Sequence, residues 1–251
     1  IVPEAGTWSV SAILDGQTSD TVSVSVKDSY ALTLNFLKDN FADNDWSDII
    51  AACHSGSVPS TWVVGNSKTM TINGASYQVD IIDKNHDIYT AGGMAPLTFQ
   101  MHDCYGIKYA MNTSNTNKGG WTDCAMRNTH LPAILALMPT EVQNGIREVN
   151  KRTSAGKQSS AINTTADKLF LLSEIEIFGS VESSKKGEGS QYAYYHAGRS
   201  KVKNVSGSAS EWWERSPNGV SNAGFCNVSK GGRDDHYAAT GSYGVSFGFC
   251  F

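Results

Sequence analysis

The sequence predicts an α+β fold: a domain of mixed strands and two main helices over residues 37–251, preceded by a short strand-only segment over 1–36. Three observations carry this. Apolar and polar residues alternate with a period of two along many short runs, as half-buried strands require. Two helix-like stretches, Leu131–Met138 and the segment opening at Pro139-Thr140, sit among those runs. Charged residues make up 18 % of the chain and Gly numbers 24, a balance that suits short strands and ordered loops better than a helical bundle.

Taken in order, residues 1–36 read as strands around Trp8, Val22–Val26 and Tyr30–Phe36, with a turn at Asp15-Gly16. Roughly three strands are too few for a complete sandwich. The piece resembles the closing strands of the small Ig-like repeats that stalk bacterial and phage surface proteins, the other reading being an N-terminal hairpin of the main domain. A start at Ile1, without Met and in mid-pattern, reads as a fragment of a longer polypeptide.

Asn44–Cys53 reads as a helix capped by Asn44 or Asp45, with Trp46, Ile49, Ile50 and Cys53 on one face. Lys68–Gly74 and Ser76–Asp83 form a hairpin turning at Asn73-Gly74, the strongest turn signal in the chain. Leu97–Met101 is a strand. Pro139–Val149 reads as the opening of the second main helix, with Thr140 as its cap. Residues 180–210, rich in Ser, Gly and Lys and holding a Tyr192–Tyr195 cluster, read as long surface loops.

Composition excludes several functions. A net charge of −4 and no Lys/Arg run longer than Lys185-Lys186 leave no basic surface for nucleic acid. No stretch approaches the roughly 18 apolar residues of a membrane span, so the chain reads as soluble. The cysteines Cys53, Cys104, Cys124, Cys226 and Cys250 lack CxxC spacing and read mostly as buried thiols, with a bridge 104–124 or 226–250 left open. The histidines form no HxxxH or HExxH pair. Asp83, Asn85 and Asp87 alternate as calcium ligands would, but read better as turn-forming residues. Neither a metal nor a cofactor is called for, and the glycine pairs lack phosphate-loop spacing.

The tail from Glu211 separates into two interleaved sets. Trp212–Pro217, Phe225-Cys226, Val228, Gly244-Val245 and Phe247–Phe251 read as a packing frame. Between them lie Asn, Ser, Gly, Tyr and Asp, the residue types of antibody paratopes, where Tyr supplies area at small entropic cost and short polar residues supply adaptable hydrogen bonds. In a strand, Trp212 and Trp213 point to opposite sides, so one of them, Trp212 in our assignment, is a candidate floor of a binding face.

The blocks Trp212-Trp-Glu-Arg-Ser-Pro, Phe225-Cys226-Xaa-Val228 and Gly244–Phe251, with Trp62–Asn66, Tyr77–Ile82, Trp121–Arg127 and Leu169–Ile177 upstream, resemble a family of gut-bacterial and phage proteins over roughly residues 40–251. That family is similar to the variable proteins of diversity-generating retroelements. The resemblance implies a C-type-lectin-like (formylglycine-generating-enzyme-like) fold with a variable region at about 212–246, diversified mostly at Asn codons. Lys230 is not reachable from such a codon.

It further implies that the exposed residues of 218–243 contact a ligand. Tyr237, His236 and Tyr243 are then anchors, and Arg233, Asp234 and Asp235 supply charge. Asn218, Asn222, Asn227 and Ser229 adapt, and Val220 and Ser242 complete the surface with Trp212. The expected partner is a bacterial surface protein or glycan, and the expected place is a virion or cell surface, with attachment to a larger structure. The chain reads as a recognition module rather than an enzyme. Against this stand a formylglycine-generating-type oxidase using Cys226 and Cys250, which sit in apolar frame strands where a thiol packs rather than reacts, and a surface module without a ligand.

Overall fold

In the computed structural model, residues 6–10, 13–14, 17–18, 22–26 and 37–251 are described. The chain divides into two compact units, Ile1–Leu37 and Lys38–Phe251. In the first, β1 (Gly6–Val10) pairs antiparallel with β4 (Val22–Val26), and β2 (Ile13–Leu14) pairs with β3 (Gln17–Thr18). The expected Asp15-Gly16 turn and the Tyr30–Phe36 strand lie outside the described residues.

The second unit is α+β, with short helices among several small antiparallel sheets. Its helix α1 (Trp46–Ser55) buries Trp46, Ile49, Ala52 and Cys53; Asp45 takes the cap position without a side-chain bond. Asn44 instead turns its amide onto the carbonyls of Lys38 and Asn40. β5 (Ser67–Ile72) and β6 (Ala75–Asp83) meet at a two-residue turn, with Ile72 opposite Ala75. Asn73 and Gly74 have φ of 49° and 77°, the left-handed pair that a type I′ turn demands.

β7 (Thr98–Met101) lies beside β6. Then follow α2 (Gly120–Asp123), a π turn at Met126–His130, α3 (Leu131–Leu135) and α4 (Thr140–Gly145). Here two expectations are corrected. Pro139, not Thr140, stands at the cap, where it loses no hydrogen bond. The helix also ends at Gly145, and Val149 belongs to β8 (Val149–Ser154), which pairs with β9 (Ile162–Asp167).

Beyond the buried run Leu169–Leu172, α5 (Glu174–Phe178) opens on a capping box in which Ser173 and Glu176 exchange backbone contacts. α6 (Ala193–His196) carries the tyrosine cluster, and Tyr192, Tyr194 and Tyr195 are buried, not on a loop surface as expected. Their hydroxyls reach Asp87, Asp80 and Gln100 from inside. β10 (Lys203–Val205) and β11 (Ser208–Ser210) form a small hairpin. β12 (Trp212–Pro217), β13 (Gly224–Val228) and β14 (Asp234–Ala238) make a three-stranded sheet in that order.

β15 (Gly248–Cys250) closes the domain by pairing with β7 at the edge of the β5–β7 sheet, giving the order β15-β7-β6-β5. Phe251 then packs on Trp46 and Phe99, and the Tyr89 hydroxyl donates to its carbonyl. The two ends of this unit are thereby joined through one aromatic core with Phe41 and Trp62. All five cysteines are free and buried.

Candidate ligand-binding surface

Every residue of β12 and β13 is buried, whereas β14 at the sheet edge is half-buried or exposed throughout. That difference organises the tail. Cross-strand partners share a face, and Trp213 is opposite Asn227, which is opposite Asp235; Phe225 is opposite Tyr237. One face therefore carries Trp213, Asn227, Asp235, Phe225 and Tyr237. The other carries Val228 with Asp234 and Cys226 with His236.

On the first face the Tyr243 ring meets Tyr237 at 4.8 Å and Trp213 edge-on at 5.0 Å. Tyr243 and Tyr109 exchange backbone bonds, Trp213 Nε1 donates to the Tyr109 carbonyl at 2.8 Å, and His130 stacks on Tyr109 at 4.5 Å. The result is a half-buried aromatic ledge of Tyr109, Tyr237 and Tyr243 resting on Trp213. Asp235 beside the Tyr237 phenol holds it above the usual range, with burial and Glu211 adding to the effect. Burial, Glu211 and Asp235 raise Tyr243 in turn. Gly244 lets the strand after Tyr243 approach β12, since a Cβ there would lie 2.6 Å from Cys104 Sγ and 2.9 Å from the Glu211 carbonyl.

The second face is covered. Glu174 accepts from the backbone amides of Glu182, Ser183 and Ser184, which holds the 182–184 loop, and Ser183 Oγ donates to Asp234 at 2.7 Å. Beneath lies Glu214, fully buried, with neither carboxylate oxygen bonded among the described residues. Burial first, then Glu174, Asp234 and Glu188, push it well above the usual carboxylate range. A groove beside the loop is lined by Glu174, Phe178, Lys201, Arg233 and Asp234.

The connecting loops hold the rest. Asn218 is buried, and its Oδ1 accepts from Val220 N at 2.8 Å, building the turn. Asn117 pins that loop from outside the tail through bonds of 2.8 Å to the carbonyls of Ser221 and Gly224. Val220, at 77 % exposure, and Asn222 stand out from it. At the opposite end of the β13–β14 hairpin, Ser229 Oγ accepts from Arg233 N and closes a tight turn.

Three expected contact residues are thus corrected. Trp212, Asn218 and Asn227 are buried at 0 %, 1 % and 0 % exposure. Trp212 and Trp213 do point to opposite sides, but both sides are covered: Trp212 Nε1 bonds the Lys201 carbonyl and its ring lies under Lys203 Nζ at 5.4 Å. Asn227 sits between Trp213 and Asp235 with neither side-chain atom bonded among the described residues. The other expected positions divide. Asp235, Tyr237 and Tyr243 come together on the ledge; Asp234 and His236 face the loop side; Ser229 and Arg233 occupy one turn; Val220 and Asn222 occupy the far loop; and Ser242 is exposed beside Tyr243.

Tyr109, His130 and Glu211 also belong to this surface, and the buried Asn117 holds its loop; none of the four carries a local signal in the sequence. Tyr109, His130 and Asn117 are brought there across long sequence separations, whereas Glu211 directly precedes β12. The residues weighed for other chemistry have structural partners. Asp87 is buried against Lys151 at 2.8 Å, and Asp83 accepts from Ala193 N. No group of three or more His, Cys, Asp or Glu suited to a metal ion occurs among the described residues. Cys226 and Cys250 are raised well above the thiol range by burial, helped by Glu214 and Asp87 respectively, which keeps both as thiols rather than nucleophilic thiolates. No described helix is long and apolar enough to cross a membrane.

A family model described as a domain of unknown function (DUF6273) matches residues 99–250, which takes in β7 through β15. No curated protein and no solved structure matches the chain.

Proposed function

The chain belongs to the DUF6273 family, and from the division of its last strands into a packed frame and an exposed edge we propose that it is a ligand-binding protein with a C-type-lectin-like scaffold. On this reading the residues at 218–243 that stand outside the frame are exchanged by a diversity-generating retroelement. The scaffold serves receptor binding or adhesion on a virion or bacterial cell surface, and residues 1–36 are the end of an Ig-like stalk. The ligand is a bacterial surface protein or glycan.

One observation carries the proposal: β12 and β13 are wholly buried while β14 and the loops at Val220–Asn222, Arg233 and Ser242 are not. Packing energy then resides in positions that stay fixed, and exposed positions change at little cost. The binding reading is favoured over oxidase chemistry because both tail cysteines are buried thiols.

The test is a comparison of this gene among isolates. Amino-acid changes within 212–246 are expected to concentrate at Val220, Asn222, Arg233, Asp235, His236, Tyr237, Ser242 and Tyr243 and to spare the buried frame, with a template copy of the region nearby. Changes spread evenly over 37–251, or equally frequent at Trp213 and Phe225, would overturn the proposal.

A further inference from the structure

The ledge offers three half-buried phenol rings and two carboxylates within one small area. Asp235 and Tyr237 share a face of β14, Tyr237 and Tyr243 lie 4.8 Å apart, and Glu211 flanks them from the residue before β12. An aromatic face and a carboxylate attract the same thing, positive charge. Elsewhere the protein supplies that charge itself: Lys68 lies over Trp46, Arg147 over Tyr89, Arg199 over Tyr194 and Lys203 over Trp212. Among the described residues no cation lies over Tyr109, Tyr237 or Tyr243. Asp235 likewise makes no salt bridge among them.

Among the described residues, Lys230 alone pairs with a carboxylate of this rim, 3.6 Å from Glu211 and with its side chain 63 % exposed. So exposed a pair is weak and displaceable.

We propose that the Tyr109–Tyr237–Tyr243 ledge, with Asp235 and Glu211 at its rim, is a docking surface for an arginine or lysine side chain on a basic segment of a protein partner. This rests on the reading of the tail as a recognition surface and narrows its ligand. An acidic segment is repelled by both carboxylates. A neutral glycan uses the rings but gains nothing from Asp235 as a charge.

The experiment titrates a fluorescein-labelled tetra-arginine peptide into the full chain by anisotropy at about 50 and about 500 mM salt, with tetra-glutamate and a neutral tetrasaccharide as comparison probes. Tetra-arginine is expected to bind, and more weakly at high salt. Asp235→Asn and Tyr237→Ala are each expected to weaken it by about threefold to tenfold. Lys230→Gln, which frees Glu211, tightens it. Glu141→Gln removes the same charge from an exposed site on α4 and leaves the affinity unchanged. Melting curves of each variant separate loss of fold from loss of the site.

Equal weakening by Glu141→Gln and Asp235→Asn makes the attraction a property of net charge and overturns the proposal, as does absence of tetra-arginine binding. Binding of the tetrasaccharide that is lost in Tyr237→Ala, without tetra-arginine binding, overturns the cationic partner while leaving a recognition surface. The wider reading is decided separately, by the distribution of changes among isolates.

Discussion

Arg215→Met is expected to destabilise the chain by about 3–5 kcal/mol, measured by urea unfolding at neutral pH, because it leaves two buried carboxylates, Glu176 and Asp87, to share the single charge of Lys151. Arg215, a residue of β12, is 0 % exposed. Its Nη2 donates to Glu176 Oε1 at 2.8 Å and to the Glu188 carbonyl at 2.7 Å, its Nη1 to the Leu171 carbonyl at 2.9 Å, and its Nε to Thr153 Oγ1 at 3.0 Å. Glu176 also holds Lys151 at 2.8 Å, and Lys151 holds Asp87 at 2.8 Å. This chain of charges ties β12 to α5, to β8 and to the segment before β7. Methionine keeps the volume and removes every donor.

The deficit has a pH signature. Burial alone raises Glu176, but Arg215 and Lys151 outweigh it and hold the carboxyl below its ordinary value. Asp87 is likewise raised by burial and brought down further by Lys151. A depressed folded value contributes stability that is present above the unfolded value, near 4, and is lost as pH falls through the folded one. The Arg215→Met deficit should therefore be largest near pH 7 and shrink in acid as Glu176 takes up a proton. Glu188 runs the other way: burial pushes it up to about 7 despite Ser216 and Ser154. Its contribution is full below about pH 4 and declines as pH rises to about 7.

The second large effect is at Trp213. Trp213→Ala is expected to cost about 3–5 kcal/mol, lowering the melting temperature by on the order of 10 °C. Trp213 is fully buried, bonds the Tyr109 carbonyl and supports Tyr243 edge-on. Its loss opens a cavity, leaves that carbonyl with only its bond from Tyr243 N, and takes the support from under the ledge, so near-UV dichroism from the tyrosines should collapse with it. Trp213→Phe keeps most of the packing and isolates the contribution of the N–H.

What the sequence disclosed, and what it did not, follows from the range of the interaction concerned. The Asn73-Gly74 turn and the buried face of α1 are local: a two-residue hairpin needs positive φ at both positions, and Trp46, Ile49 and Cys53 recur at helical spacing. The separation of frame from fringe in the tail was legible in part, since Trp212-Trp213, Phe225-Cys226 and Val228 mark the packed strands, although Glu214, Arg215, Ser216 and Asn227 are buried with them. Burial of Tyr192, Tyr194 and Tyr195 was not legible. Their neighbours in sequence are Ser, Gly and Lys, and their partners Asp87, Asp80 and Gln100 lie 95 or more positions away.

Asn227 and Asn218 failed as surface positions because residue type suggests exposure, whereas a central strand and a turn buttressed by Asn117 bury whatever stands there. The same holds for Trp212: alternation assigns opposite sides correctly but is silent on whether both sides are covered. Tyr109 and His130 joined the ledge only through the pairing of Tyr109 with Tyr243.

The central claim, that the frame alone carries the fold and the fringe is free, is tested by exchanging the fringe at once. A variant combining Val220→Ser, Asn222→Ser, Arg233→Ser, His236→Thr and Ser242→Asn changes five exposed positions and is measured by urea unfolding beside the unmodified chain. We predict a change of less than about 1 kcal/mol with an unaltered denaturant slope, since exposed positions free of packing each contribute within about 0.5 kcal/mol of either sign. A loss of about 3 kcal/mol or more, matching that of Trp213→Ala alone, would mean that these residues hold the structure together and are not free to vary.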